Sequence, residues 1–142
     1  MKKITRKSIT AMCGLLFGLL FTGLKAQEGQ LLIIGALLID QGYEITHDAK
    51  YASLYDDSYD NYYFSLKKGW SYVIAAACDE DCGDIDLCLF DENNNLIGCD
   101  RKNDDKPMVS VSPNWSGSFR LWVKMEDCDR NPCRFGIVVF GK

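Results

Sequence analysis

Five acids crowd into eight residues, Asp79, Glu80, Asp81, Asp84 and Asp86, within the stretch Cys-Asp-Glu-Asp-Cys-Gly-Asp-Ile-Asp-Leu. Carboxylate oxygens at that density are the chemistry of calcium binding, and Asp79, Asp81, Asp84 and Asp86 are the candidate ligands. The EF-hand pattern does not fit them. Counted from Asp79, Gly83 stands at the fifth position instead of the sixth, and Phe90 takes the twelfth, where a bidentate Glu belongs. Asp84 and Asp86 also have a structural reading, in which their carboxylates tie neighbouring N–H groups at the entry to a strand. No cofactor beyond calcium is expected.

The same stretch belongs to a set of six cysteines, Cys78, Cys82, Cys88, Cys99, Cys128 and Cys133. Six cysteines allow about 15 connectivities, and spacing alone does not choose among them. Register decides one pair. With Asn93-Asn94 at the centre of a hairpin turn, Asp91 faces Leu96, Phe90 faces Ile97 and Cys88 faces Cys99. Directly opposed strand residues hold their Cβ atoms roughly 4.5–5.5 Å apart, near disulfide reach, so Cys88–Cys99 is expected as a cross-strand staple. Cys78–Cys82 and Cys128–Cys133 are favoured as clasps of short loops, and the crossed pairing, Cys78 with Cys133, stays open. A four-thiolate zinc site on the same residues is the rival chemistry, and an oxidising compartment disfavours it. A Cys-x-x-Cys redox motif is absent.

Catalytic constellations are thin. His47 is the one histidine, in a polar segment with no nucleophile motif to serve, and no pair of acids is singled out for glycosidic chemistry. The chain is therefore expected not to be an enzyme. Trp70, Trp115, Trp122 and the tyrosines at 51, 55, 59, 62 and 63 could form an aromatic binding face, Trp122, Trp115 and Tyr62 being the chosen candidates, with coverage of the core as the competing role. Trp122 leads because strand alternation sets it opposite Phe119, Leu121 and Val123 and beside the cationic Arg120 and Lys124.

The elements that would position these residues are mostly strands. Tyr62, Phe64 and Leu66 alternate before a Lys67-Lys68-Gly69 turn, and Tyr72, Ile74 and Ala76 share one side of the next run. The run Ala75-Ala76-Ala77 predicts a strand covered closely on both faces. Residues 84–90, 96–100, 107–112, 119–125 and 135–140 follow, each bounded by turn residues, and a short strand is expected at 43–46. Residues 47–61 read as a polar connection. Seven or eight short strands at this spacing predict an all-β antiparallel sandwich. Residues 30–41 are apolar nearly all round and end at Gly42, which predicts one short N-terminal helix packed on the domain, with a strand as the alternative.

Ahead of this domain, Lys2, Lys3, Arg6 and Lys7 precede the apolar run Ala11–Leu24, and Ala26 before Gln27 suits a cleavage site. Residues 1–26 are read as a signal peptide, 27–42 as the helix and 43–142 as the sandwich. The apolar run is short for a membrane span of about 20 residues, with an uncleaved anchor as the alternative. Cys13 lies at the start of that run, away from the cleavage point, so a lipoprotein signal is rejected. The expected location is extracytoplasmic, in the periplasm or outside a bacterial cell, with no stable span after cleavage. Removing the leader's five Lys and Arg from the chain's 16 leaves 11 against 20 acids, a net charge near −9. Such a surface repels phosphate backbones, which argues against nucleic acid.

Three segments carry a family resemblance: Tyr63-Phe64-Ser65-Leu66-Lys67-Lys68-Gly69, Gly83-Asp84-Ile85-Asp86-Leu87-Cys88-Leu89-Phe90-Asp91, and Ser116-Gly117-Ser118-Phe119-Arg120-Leu121-Trp122-Val123. Over residues 43–142 the chain resembles the bacterial pre-peptidase C-terminal domain, related to the collagen-binding modules of secreted collagenases. The resemblance implies a jelly-roll-like, non-catalytic sandwich, and some relatives bind calcium. Six cysteines and the lack of an attached protease domain set this chain apart, as a free-standing disulfide-bonded variant. The expectation is an exported module, a monomer, that binds or stabilises an extracytoplasmic protein or glycan. A protease-associated factor or inhibitor, or an enzyme of unknown class, is the alternative, and a calcium-hardened surface module is a third reading.

Overall fold

The computed structural model describes residues 26–142. The signal peptide expected at 1–26 lies outside the described residues except for Ala26. The first element, α1 (Ala26–Asp40), is followed by β1 (Glu44–Ile45), β2 (Lys50–Leu54), β3 (Tyr59–Leu66), β4 (Tyr72–Cys78) and β5 (Cys82–Phe90). Then come β6 (Leu96–Asp100), β7 (Met108–Val111), β8 (Gly117–Cys128) and β9 (Cys133–Gly141). All ladders are antiparallel. In one sheet β7 pairs β4 and β4 pairs β9, and the free side of β9 takes both β1 and β2; the other sheet runs β3-β8-β5-β6. The architecture is the all-β sandwich with one short helix that the patterning predicts.

Period-two alternation builds the core. Phe64, Leu66, Ile85, Leu87, Leu89, Phe119, Leu121, Val123 and Met125 point inward from the four-stranded sheet. They meet Tyr72, Ile74, Ala76, Phe135, Ile137 and Val139 from the other. β4 is buried along its whole length because α1 covers its second face. There Leu31 and Leu38 pack on Val73, Ala75, Ala77, Val138 and Phe140. Small side chains let the helix come close: Gly35 lies on the Phe140 ring, and Gly136 sits beneath Leu31 and Tyr51.

The helix stops where the sequence says. Gly42 has φ of 86°, and the Gly42 and Tyr43 N–H groups donate to the carbonyls of Ile39 and Leu38. That double closure is the Schellman arrangement, which needs a residue free to adopt positive φ at Gly42.

Nine strands exceed the expected seven or eight, and the addition is β2 inside the segment read as a connection. Its residues pair on one side only, from Lys50 opposite Ile137 to Leu54 opposite Cys133. An edge strand that is half exposed carries no strong alternation, so Tyr51, Ser53 and the flanking acids mask it.

Candidate functional site

The outer face of the β3-β8-β5-β6 sheet is an ordered grid. Paired residues point to the same side of a sheet, so register alone sets the rows. Tyr63, Arg120 and Phe90 form one row, and Asn61, Trp122, Cys88 and Cys99 the next. Tyr59, Lys124 and Asp86 form the third.

Aromatic and cationic groups interlock across these rows. The Arg120 guanidinium lies 4.2 Å from the Phe90 ring centre, donates through Nη1 to Asn61 Oδ1 at 2.8 Å, and through Nη2 to Asn94 Oδ1 at 3.3 Å. The Trp122 and Tyr59 rings have centres 6.0 Å apart, and Arg101 covers Trp122 at 5.3 Å. Tyr63 and Tyr59 are 66% and 61% exposed, so the rings present open faces instead of filling the core. Cys88–Cys99 lies in the middle row but at the β6 edge of this surface, joining β5 to β6 at directly opposed positions. A shallow recess of about 310 Å³ beside Arg120 is lined by Tyr63, Asp91, Glu92, Asn94 and Ser118.

The hairpin that carries Asn94 is set by Asp91. Its Oδ1 accepts from the Asn93 and Asn95 N–H groups, both at 2.8 Å, and its Oδ2 from Asn95 Nδ2 at 2.9 Å. These bonds hold the Asp91 carboxyl below the usual carboxylate range, the Asn95 side chain contributing most. The Cys88–Cys99 register matches the expectation, but Phe90 pairs with Leu96 and not Ile97, because a bulge between Leu89 and Phe90 absorbs one residue.

The three aromatic candidates do not gather. Trp122 stands on the outer face. Trp115 lies in the turn before β8 and stacks on Phe119 with ring centres 5.8 Å apart. Tyr62 turns to the core side, edge-on to Phe135 at 6.1 Å. Burial, then the charge and hydrogen bond of Asp60, push the Tyr62 hydroxyl up to about 12. Alternation alone sets Arg120 beside Trp122, and Phe90 is the partner that sequence reasoning missed; strand register, carried one ladder further, places Phe90, Tyr59 and Tyr63 around them.

The four candidate calcium ligands separate into two pairs. Asp79 and Asp81 sit in the β4–β5 turn, where Asp79 Oδ2 accepts from the Arg134 N–H at 2.8 Å and Asp81 lies 3.8 Å from Arg130. Asp79 Oδ1 is buried with no hydrogen-bond partner among the described residues. Asp84 and Asp86 lie on the outer side of β5, one position apart in the pleat, with Glu126 of β8 beside them. Asp84 Oδ1 accepts from the Asp104 N–H at 3.3 Å, which is the strand-anchoring role. Among the described residues no three His, Cys, Asp or Glu side chains converge in an arrangement that holds a metal.

Asp86 is buried, with Arg101 at 3.8 Å. Burial raises its carboxyl to about 6, reinforced by Asp84 and Glu126 and opposed by Arg101. Burial also raises Asp84. Lys124, opposite Asp86, is raised chiefly by its 2.6 Å hydrogen bond to Glu126.

The other disulfides clasp the far end of the sandwich. Cys78–Cys82 closes the β4–β5 turn and Cys128–Cys133 the β8–β9 loop, and Cys82 faces Cys128 across the ladder. Asp56 Oδ1 accepts from the Cys128 N–H at 2.9 Å and so ties the β2–β3 turn to that loop. His47 is a loop anchor: Nε2 lies 3.0 Å from the Ser65 carbonyl, Nδ1 2.9 Å from Thr46 Oγ1, and the ring stands edge-on to Phe64.

No protein-family model and no curated protein matches the chain. Among solved structures, the fold is similar to the pre-peptidase C-terminal domain of a collagenase from Bacillus anthracis. That likeness has a TM-score of 0.47 and 18% identity, covering 65% of this chain and 87% of that one. It is also similar to a periplasmic inhibitor of g-type lysozyme from Aeromonas hydrophila, with a TM-score of 0.44 and 14% identity over 65% of this chain and 84% of that one.

Proposed function

We propose that the chain is an exported, non-catalytic module that binds an extracytoplasmic protein through the outer face of the β3-β8-β5-β6 sheet. The observation that carries this reading is the grid of Tyr59, Tyr63, Phe90 and Trp122 interleaved with Arg101 and Arg120. Tyr, Trp and Arg are the residues that dominate binding energy in protein interfaces, the two aromatics offering broad contact at modest entropic cost. The Cys88–Cys99 disulfide fastens the edge strand β6 to β5 and keeps that part of the surface in one shape before contact, which lowers the ordering cost of binding. Three disulfides and the leader-like segment ahead of the domain support an oxidising, extracytoplasmic location.

The test compares Tyr63→Ala and Trp122→Ala with the unaltered protein against a panel of purified extracytoplasmic proteins and a glycan array. The expected result is a protein ligand whose affinity falls at least about tenfold in both variants, the loss of one interfacial hot spot. Glycan binding lost in the same variants would transfer the face to a sugar ligand. A ligand that both variants bind unchanged overturns this use of the face, and a hydrolytic activity abolished by His47→Ala overturns the non-catalytic reading.

A further inference from the structure

The two clasps at the far end of the sandwich touch each other. Cys78, Cys82, Cys128 and Cys133 belong to one buried cluster, where β4 passes into β5 and β8 into β9. Cys82 and Cys128 are cross-strand partners in the β5–β8 ladder, so their side chains point to the same side of the sheet. Each is bonded to a cysteine of its own loop instead, Cys82 to Cys78 and Cys128 to Cys133.

Hydrogen bonding sets how close this pair stands. The Cys82 N–H donates to the Asp79 carbonyl and the Cys128 N–H to Asp56 Oδ1, so neither donates to the other. Their flanking residues do bond, the Asp129 N–H donating to the Asp81 carbonyl at 2.8 Å. That is the non-hydrogen-bonded type of antiparallel pair, in which Cα atoms stand about 4.5 Å apart. Disulfides span Cα separations of roughly 4.4–6.8 Å. The same sheet already carries one between directly opposed residues, Cys88–Cys99, with Cα atoms 4.1 Å apart. Cys82 and Cys128 are thus within bonding reach of each other while each is bonded elsewhere.

We propose that these four cysteines form a thiol–disulfide exchange site whose substrate is a dithiol. On two-electron reduction the two clasps become one cross-strand disulfide, Cys82–Cys128, and two buried thiols. Entry is at Cys82 or Cys128, each 6% exposed, since Cys78 and Cys133 are wholly covered. A thiolate of the dithiol attacks Cys82 Sγ, the Cys78–Cys82 bond breaks, and Cys78 leaves as a thiolate and takes a proton. The second thiol of the reductant attacks its own sulfur in the mixed disulfide and releases the Cys82 thiolate. That thiolate attacks Cys128 Sγ, forming Cys82–Cys128 and expelling Cys133, which takes the second proton. Entry at Cys128 reaches the same product by the mirrored steps. The dithiol ends as a disulfide, and its two electrons and two protons reside in the Cys78 and Cys133 thiols.

The fold has room for that product. Cys78 Sγ lies 3.7 Å from the Asp105 carbonyl oxygen and 3.9 Å from that of Cys82, so the new S–H finds an acceptor in a buried place. The new bond joins residues 82 and 128, a far longer loop than the separations of 4 and 5 it replaces, so it restrains the unfolded chain more than either clasp. No Cys-x-x-Cys spacing is needed, because strand register brings the sulfurs together.

Stepwise reduction of the folded, oxidised protein with dithiothreitol tests this, with an acid quench, capping of free thiols by N-ethylmaleimide and peptide mass mapping. Among the four clasp cysteines, whatever the state of Cys88–Cys99, the expected intermediate carries caps on Cys78 and Cys133 and peptides joined through Cys82–Cys128. Any other pair of caps among the four overturns the proposal. So does a reduction that frees all four together, or none before the protein unfolds. The double variant Cys78→Ser with Cys133→Ser gives a second reading without a reductant. It should keep the near-ultraviolet circular dichroism of the unaltered protein and form Cys82–Cys128 under mild oxidation. A folded double variant that keeps both thiols free overturns the proposal as well, and if that variant does not fold, the mapped intermediate decides.

Discussion

The Arg101 guanidinium stands 5.3 Å from the centre of the Trp122 ring and 3.8 Å from an oxygen of Asp86. One side chain, from the segment just after β6, thus joins the aromatic and acidic halves of the outer face. A cation over an exposed indole is worth about 0.5–1 kcal/mol. Arg101→Ala should cost roughly that in stability and leave Trp122 open to solvent. Its fluorescence should shift to the red and become easier to quench with iodide. Unchanged emission would mean that Arg101 does not cover the ring in solution.

Asp86 makes stability depend on pH in an unusual direction for a carboxylate. Its folded value, about 6, lies above the ordinary aspartate value of 3.8, so the folded protein holds a proton there more tightly than the unfolded chain. The resulting stabilisation is complete below about pH 4 and is lost as pH rises through about 6. Asp86→Asn removes the charge while keeping the shape. At pH 7–8 it should be more stable than the unaltered protein by about 1–2 kcal/mol, a figure reduced for partial screening by solvent. Denaturation midpoints measured from pH 4 to pH 8 check this. A gap between the two proteins that does not widen with pH would show that Asp86 titrates normally.

The sandwich was legible in the sequence because its central strands obey a simple rule. Leu66, Ile74, Leu87 and Val123 are inward because every second residue is inward, and Ala75 and Ala77 announce the helix that covers them. The Cys88–Cys99 contact followed from a turn and a count, even though a bulge in the β5–β6 ladder moved Phe90 onto Leu96. Edges and surfaces were less legible. β2 is stabilised by one neighbour and shows no period, and Tyr62 was grouped with Trp122 although the pleat sends it inward. The partners of Trp122 come from β3, β5 and the segment after β6, and only the order of strands in the sheet brings Tyr59, Cys88 and Arg101 around it. A local pattern cannot contain that information.

The acids of the β4–β5 region should not respond to calcium as a site. Asp79 and Asp81 are engaged near Arg134 and Arg130 in the turn, while Asp84 and Asp86 stand on the strand with Glu126. Calcium takes six to eight oxygens at about 2.3–2.6 Å, and a site binding N and not U stabilises by roughly 2.7 kcal/mol at a hundredfold excess over its dissociation constant. The expected outcome is a melting temperature that 5 mM calcium, about the level that fills weak extracellular sites, leaves unchanged from that in chelator. A rise of several degrees, absent in Asp84→Asn, would instead show that the two pairs rearrange around an ion.

Gly136 reports on whether α1 is seated as the structure places it. A Cβ there would come within 2.7 Å of Leu31 Cδ1 and 2.8 Å of Tyr51 Cε1, so both side chains would have to move. Tyr51 stands at the exposed edge and can swing, but Leu31 is the buried residue that holds the helix to β9. Gly136→Ala should therefore destabilise by about 1–3 kcal/mol, the usual cost of overpacking. Leu31→Ala alone should cost about 2–5 kcal/mol by opening a cavity. Combined, the two substitutions relieve each other, because the added methyl occupies part of the space the leucine leaves. Their joint cost should fall short of the sum by about 1 kcal/mol or more, as residues in contact commonly show. Denaturant midpoints for the two single variants and the double variant measure the difference. Strict additivity would mean that Leu31 does not rest on Gly136, and that the helix lies elsewhere on the sheet.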